Sequence, residues 1–461
     1  MVVSKSASLG GSWNFKYEPG SPTSYDKTTV TTPAGTITYQ HIGPNYVSNG
    51  SVWMVGLLVS RQEGSEQTEA LTWTKQKISS EEFVSKRDLN ETNAPVLQKR
   101  VITLNGATYS TTYSDFDEYG NARSVVESGA NGGSRTTAVT YKHFPDKWII
   151  QQVENETVSG GVSVKRNFDA KGNVTSLTKD GVTTGFTYDG PGNVSTKTLP
   201  RSLDHKYSAY QRGVPQTEDQ PESITIKRII SNVGNVESET NREQKTTTYK
   251  YDGLNRLTGI TWPSGSPLTI DYTTTTKTAS RGRLVQSTTY DGFGRVKSVS
   301  MGGILRTYEH DALGRMTFAS NPDNTSIGTS YQYDILGRLT RVTHPGGAFQ
   351  GTEYGAGSKT VTDERSKSTT YYYRSYGNPQ TQHLMRIDAP ESAGVVIGRN
   401  GKDLVTSLTQ DNVTRSYDYD SRGYLTTVNN PEAGAITYGR DDAGNMTSRT
   451  VVGVSGSPIY H

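Results

Sequence analysis

The chain contains no cysteine in 461 residues, which excludes disulfide staples, thiolate nucleophiles and cysteine-ligated metals. It lacks a long hydrophobic run as well. The longest, Val52 to Val59, falls far short of the roughly 20 apolar residues that cross a bilayer as a helix. Met1 to Gly10 has neither the cationic start nor the apolar centre of a cleaved secretory signal. A chain bound for the medium or a cell surface is therefore expected to leave by another route, or to have its true start upstream of Met1. Charge of one sign is also missing, since 48 basic and 45 acidic residues interleave to a net +3. No basic arm or stripe announces nucleic acid. Hydrophobic residues make up 31% of the chain, with nine phenylalanines beside 28 tyrosines. A tyrosine-rich strand can cover a face with ring carbon and keep its hydroxyl in water, so this composition fits a broad, thin sheet better than a thick core.

What the chain does have is one short sentence written many times. It reads Tyr251-Asp252-Gly253-Leu254-Asn255-Arg256, Tyr290-Asp291-Gly292-Phe293-Gly294-Arg295, His310-Asp311-Ala312-Leu313-Gly314-Arg315 and Tyr333-Asp334-Ile335-Leu336-Gly337-Arg338. An Asp side chain can accept from backbone N–H groups just ahead of it, and a Gly three positions on supplies a positive φ. Asn255 replaces that Gly once, and Asn is the next most tolerant residue of the left-handed region. β-formers precede each turn and an apolar residue follows it, so each copy reads as a β-hairpin. Leu339 and Val342 lie three apart rather than two, which predicts a bulge after the turn.

The same pattern runs from Val101 onward, with its Asp position at Asp117, Asp169, Asp189, a degenerate Ser231, Asp252, Asp291, Asp311, Asp334, a degenerate Arg374, Asp420 and Asp441. The matching glycine positions include Gly120, Gly172, Gly192, Gly234, Gly377, Gly423 and Gly444. Most spacings fall near 20 residues or twice that, so further copies are expected inside the longer gaps. A period near 20 suits one hairpin joined to the next, and such units must stack on their neighbours to hide a face. The expectation is an all-β ribbon of hairpins. Residues 1–100 read as an irregular β cap or as diverged repeats, and 101–461 as the array, ending mid-repeat.

These turns, with continuations such as Leu425-Thr426-Thr427-Val428, resemble the YD repeats of RHS proteins. That family includes bacterial polymorphic toxins, the B and C components of insecticidal toxin complexes, and teneurins. The resemblance implies a ribbon curling into a hollow shell, complete or partial, which in bacterial members encloses a C-terminal toxin. The aspartate-containing Asp-Pro-x-Gly cleavage motif of the RHS-associated core does not occur here. The resemblance thus implies part of a shell, with toxin cargo and the remaining shell, in the same longer chain or a partner chain, as partners. A secretion-machinery spike or a cell-surface glycan is a further partner the reading allows.

No catalytic, cofactor-binding or metal-ligating residues emerge. The repeated carboxylates are explained by their turns, whereas calcium repeats bring several oxygen ligands close in sequence. His41, His143, His205, His310, His344, His383 and His461 form no metal-type pair. Gly355-Ala356-Gly357-Ser358-Lys359-Thr360 lacks the Gly before Lys of a phosphate loop, and Gly453-Val454-Ser455-Gly456 lacks the last Gly of a nucleophile elbow. The expected function is a non-enzymatic shell segment that encapsulates and carries a toxin, in bacterial competition or host intoxication. The alternative is a cell-surface carbohydrate-binding or adhesion module, for which Trp13, Trp53, Trp73, Trp148, Trp262 and the tyrosines would supply stacking rings.

Overall fold

The computed structural model describes residues 2–6, 11–47, 52–79, 92–392, 394–452 and 458–460. They form forty β-strands and six single-turn 3-10 segments. Every strand pairs antiparallel with its sequence neighbours, from Ser4–Ser6 against Ser12–Glu18 to Met446–Val452 against Pro458–Tyr460. The two end strands show no pairing with each other among the described residues, so the sheet is open. Hairpins continue through the first hundred residues in the same pairing, and residue 100 lies inside the strand Thr92–Leu104. Among them are the strands Gly35–His41 and Leu58–Glu63, separated by a short 3-10 turn at Val52–Met54.

A continuous meander has two edges, and the turns alternate between them. The repeated Asp turns lie on one, here called the aspartate edge. Their backbone is a tight turn followed by a bulge. At Asp334 the Gly337 N–H donates to the Asp334 carbonyl at 3.1 Å, and the Asp334 N–H donates to the Arg338 carbonyl at 3.0 Å. Gly337 has φ +79° and Gly294 φ +78°, as the pattern requires. Pairing then slips from Gln332↔Arg341 to Tyr333↔Leu339, leaving Thr340 as the extra residue. That slip is the predicted bulge, and it recurs after Asp169, Asp189, Asp252 and Asp291.

The long gaps hold aspartate-edge turns of other chemistry. They are the 3-10 turn Pro145–Lys147, the two-residue turn Arg212-Gly213, the threonine turn at 273–276, the Gly355–Ser358 turn and, at 400–404, a missed copy. The expected copy at Arg374–Gly377, by contrast, is not a turn of this kind, because Gly377 is not among the positive-φ residues. Two true copies lie on the opposite edge instead, at Asp363–Lys367 and Asn241–Lys245, with Ser366 (φ +61°) and Gln244 (φ +59°) in the glycine position.

A Cβ added at Gly337 meets nothing within 4 Å, so Gly337→Val tests the backbone alone. It is expected to destabilise this hairpin by about 1–3 kcal/mol, through the left-handed strain a β-branched residue resists. Gly337→Asn should cost clearly less. Amide exchange over 330–343 measures both, and equal acceleration in the two variants would contradict the conformational argument.

Burial is thin. Only ten hydrophobic residues of the described chain are buried, because a single sheet has no second layer to face. Four of them, Ile102, Leu104, Tyr109 and Ala130, form a cluster that also packs Ala107 and Leu336. Leu336 reaches that cluster from more than 200 residues downstream, because the ribbon curls and lays its later turns on its earlier ones. The all-β wall is one sheet thick.

Candidate functional site

The unit of the wall is the Asp clamp. Asp334 Oδ1 accepts from the Arg338 N–H at 2.8 Å, and Oδ2 from Arg338 Nε at 2.7 Å. Asp252, Asp291 and Asp311 hold Arg256, Arg295 and Arg315 in the same way. Where the position four beyond the Asp is Asn, its Nδ2 takes the place of Nε, as in Asn121 on Asp117 and Asn173 on Asp169 at 2.9 Å. Either side chain presents one N–H at the same place. The hydrogen bonds keep the carboxyls of Asp117, Asp169, Asp252, Asp291 and Asp311 below the usual range. At Asp252 the Arg256 backbone N–H leads, and at Asp311 burial opposes the charge but the Arg315 bonds outweigh it.

The arginines also tie one repeat to the next. Arg295 Nη1 donates to the Asp311 carbonyl and Arg315 Nη1 to the Asp334 carbonyl, both at 2.8 Å. The guanidinium groups of Arg315 and Arg338 lie over the following aromatic, Tyr333 at 4.9 Å and Tyr354 at 4.2 Å, whereas Arg295 lies over Phe293 of its own turn. The tyrosine hydroxyls close the circuit. Tyr188, Tyr251, Tyr333 and Tyr419 donate to the carbonyls of Val174, Val236, Met316 and Val405, at 2.7 to 3.0 Å. Each acceptor is the residue five beyond the preceding turn's Asp position, where the bulge interrupts the ladder. This accounts for tyrosine over phenylalanine, since a phenyl ring would leave that carbonyl unpaired.

The second feature is the seam where the later turns meet the earlier ones. Aspartate-edge turns from 312 to 441 sit on opposite-edge turns from 11 to 201, in order. Ile335 lies over Gly35 and Gly64. Arg338 Nη2 donates to Asn105 Oδ1 at 3.2 Å, Lys402 pairs with Asp180 at 3.0 Å, and Arg201 pairs with Asp441 at 3.1 Å. At 129–133 the backbones themselves touch. Asn131 Nδ2 donates to the Gly357 and Tyr373 carbonyls at 3.2 and 2.7 Å, and Gly129 and Gly133 lie against Ser375 and Tyr376.

Behind that contact is the densest polar cluster of the seam. Asp403 accepts from Arg374 Nη2 at 2.6 Å and from the Tyr376 hydroxyl at 2.9 Å, with His383 Nε2 at 3.3 Å. Arg135 of the earlier lap stacks on Tyr376 at 4.3 Å. Burial pushes His383 below the ordinary histidine range against the pull of Asp403, and Arg399, Arg374 and Arg135 add to the lowering. The Asp belongs to the missed copy. Asn400 takes the Asp position and Asp403 the glycine position at φ +60°, while Asn400 Oδ1 accepts from the Lys402 and Leu404 N–H groups. Allowing Asn in the first position and Asp in the fourth would have found it.

The remaining candidates stay apart. His143 Nε2 lies 3.1 Å from Asp117 Oδ2, but Asp117 already accepts from Tyr119 and Asn121 and has no lone pair left facing a substrate. His344 pairs with Glu364 at 3.0 Å, and His310 fills an aromatic position. Gly355–Thr360 is strand, turn and strand, with Gly357 at φ +62°. His461 and the Gly453–Gly456 stretch lie outside the described residues. Trp73 donates to the Leu58 carbonyl, Trp13 lies under Lys5 and Trp262 under Arg281, while Trp148 is 91% exposed. No three potential metal ligands gather among the described residues, and no described helix is long and apolar enough to cross a membrane.

The RHS Repeat family model matches residues 232–267 and 319–348, which contain the clamps of Asp252 and Asp334. Among curated proteins, none matches the chain. Solved structures share its path. The crystal structure of TcdB2-TccC3 aligns over 98% of this chain with a TM-score of 0.63 at 9% identity. TcdB2-TccC3 without its hypervariable C-terminal region aligns over 95% at TM-score 0.57 and 10% identity, and TcdB2-TccC3-Cdc42 over 97% at 0.56 and 10%. The present chain spans only 37%, 27% and 29% of those chains, and at such identities the likeness is one of fold. The chain thus carries RHS repeats at 232–267 and 319–348, and its wall shares the fold of the TcdB2-TccC3 structures end to end.

Proposed function

We propose that this chain forms part of the wall of a toxin-carrying shell, that it acts without catalysis, and that it works outside the producing cell. The observation that carries this reading is the seam. A ribbon whose later turns lock onto its earlier ones in order, from 11 to 201, makes a continuous curved wall, and such a wall separates a cargo from its surroundings by sterics alone. The likeness in fold to TcdB2-TccC3 supports a toxin-related shell. TcdB2-TccC3 carries a hypervariable C-terminal region in addition to the part that aligns here, and a segment of that kind is the cargo this reading assigns to the wall. The division near residue 100 then separates a first, diverged stretch of wall from the regular repeats. The alternative of a glycan-binding surface draws on Trp148, whose ring stands free.

Small-angle scattering of the purified chain tests the reading. A curled wall around a lumen gives a pair-distance distribution broader than that of a filled sphere of equal mass, with its maximum displaced to long distances. A distribution peaked at the strand-ribbon cross-section with a long linear tail would mean an open rod, and the shell reading would fall.

A further inference from the structure

Three Asn-Gly pairs fall among the described residues, at 105–106, 131–132 and 400–401, and each sits in a turn of the seam. Asn105 presents its Oδ1 to Arg338, and Asn400 presents its Oδ1 to two N–H groups of its own turn. An aspartate in either place would still accept. Asn131 is used the other way round. Its Nδ2 donates to the Gly357 carbonyl at 3.2 Å and the Tyr373 carbonyl at 2.7 Å, so both amide hydrogens hold the later lap. Where an Asn must donate, its acid cannot stand in.

We propose that Asn131-Gly132 is a self-modification site that makes parting of the laps irreversible: once they separate, Asn131 loses its amide as ammonia, and the acid left behind no longer seats the later lap. The Gly132 backbone nitrogen bonds to Asn131 Cγ, the Cγ–Nδ2 bond breaks, and the Gly132 proton leaves with the amide as ammonia. Water then opens the cyclic imide at either carbonyl to give aspartate or isoaspartate. No other reactant is needed. Gly132 has no Cβ to crowd its nitrogen, which is why Asn-Gly closes this ring more readily than other pairs. Docked, the residue is held out of that reaction. Its ψ of 40° turns the Gly132 nitrogen to the side of the Cα–C bond away from Cβ, out of reach of Cγ. The contacts of Gly129 and Gly133 with Ser375 and Tyr376 fix the loop in that shape. Asn131 itself is exposed, so water reaches it and conformation alone protects it. Parting frees ψ and the amide together. Afterwards a carboxylate oxygen faces two carbonyl oxygens, and neither carbonyl has its donor. The inference rests on the seam and holds whether or not the wall encloses a cargo.

Peptide mapping by mass spectrometry tests it, on chain aged at mildly alkaline pH. The folded parent is expected to convert Asn131 several-fold more slowly than the same chain unfolded in guanidinium chloride. Gly133→Ala, whose Cβ would overlap the Ser375 carbonyl oxygen, should bring the folded rate most of the way to its own unfolded rate, with the far-ultraviolet spectrum unchanged. Amide exchange over 373–376 supplies a second reading that needs no ageing. Asn131→Asp should accelerate it several-fold, while Asn105→Asp, which keeps its acceptor, leaves exchange around Arg338 as in the parent. A folded parent that deamidates at 131 as fast as the unfolded chain overturns the proposal. So does a Gly133→Ala rate equal to the parent's, or an Asn131→Asp chain whose exchange over 373–376 matches the parent's.

Discussion

Asp403→Asn is expected to lower stability by about 2–4 kcal/mol, read as a clear drop in the thermal midpoint and faster proteolysis between 375 and 403. The substitution is conservative in every respect but charge. Asn holds the left-handed conformation at φ +60° and keeps an acceptor for Arg374 and the Tyr376 hydroxyl. What it removes is the negative charge facing Arg374, with Arg399 and Arg135 also near. Losing one partner of a fully buried pair costs roughly 3–5 kcal/mol, and the residual exposure of these side chains reduces that. Pairing Asp403→Asn with Arg374→Gln should recover part of the loss, since no cation is then left unmatched. An unaltered midpoint would mean that solvent, not Asp403, balances the cluster.

The same cluster gives a pH dependence of defined sign. His383 has a folded pKa below its unfolded value of roughly 6.5. The unfolded chain therefore binds the proton first. Its contribution is fully present above about pH 6.5 and declines as pH falls toward the folded pKa. His383→Gln should flatten the stability profile in that interval while leaving the steeper loss below about pH 4, where the clamp carboxylates protonate.

How much of this was legible beforehand depended on whether the signal was local. The hairpin, its positive-φ glycine and the bulge after Leu339 all follow from residues within ten positions of each other, so the sequence carries them. The tyrosine hydroxyl bond links residues about 15 apart across one hairpin, and its signature was visible only as an excess of tyrosine. The seam joins residues more than 200 apart, such as Asn105 and Arg338, and no period in the chain encodes that distance. Arg374 shows the cost of reading locally. Aligned as a failed Asp, it is the arginine that holds Asp403, whose own copy hid behind an Asn and an Asp in place of Asp and Gly. Gly129 and Gly133 were equally silent, because their conformations are ordinary.

That last point makes the seam testable with a single methyl group. Gly133 has φ −65° and ψ 117°, which any L-residue adopts, so Gly133→Ala strains nothing locally. Its Cβ would overlap the Ser375 carbonyl oxygen of the later lap, and backbone on both sides leaves no flexible atom to yield. The laps must part there, at a cost of about 1–3 kcal/mol. Because the chain has no cysteine, an Arg201→Cys, Asp441→Cys pair reports on the seam without background. In the parent a short bismaleimide should join these two positions within one chain, producing a faster-migrating band. Gly133→Ala should slow that reaction several-fold. Gly190→Ala, where a Cβ meets nothing within 4 Å, should leave it unchanged. If Gly133→Ala cross-links as fast as the parent, the laps are not held by close approach of their backbones. The wall would then depend on side-chain pairs such as Lys402 with Asp180, and high salt should open it. If the cross-link slows, close backbone approach at Gly133 is what seats one lap on the other there, and the side-chain pairs of the seam do not replace it.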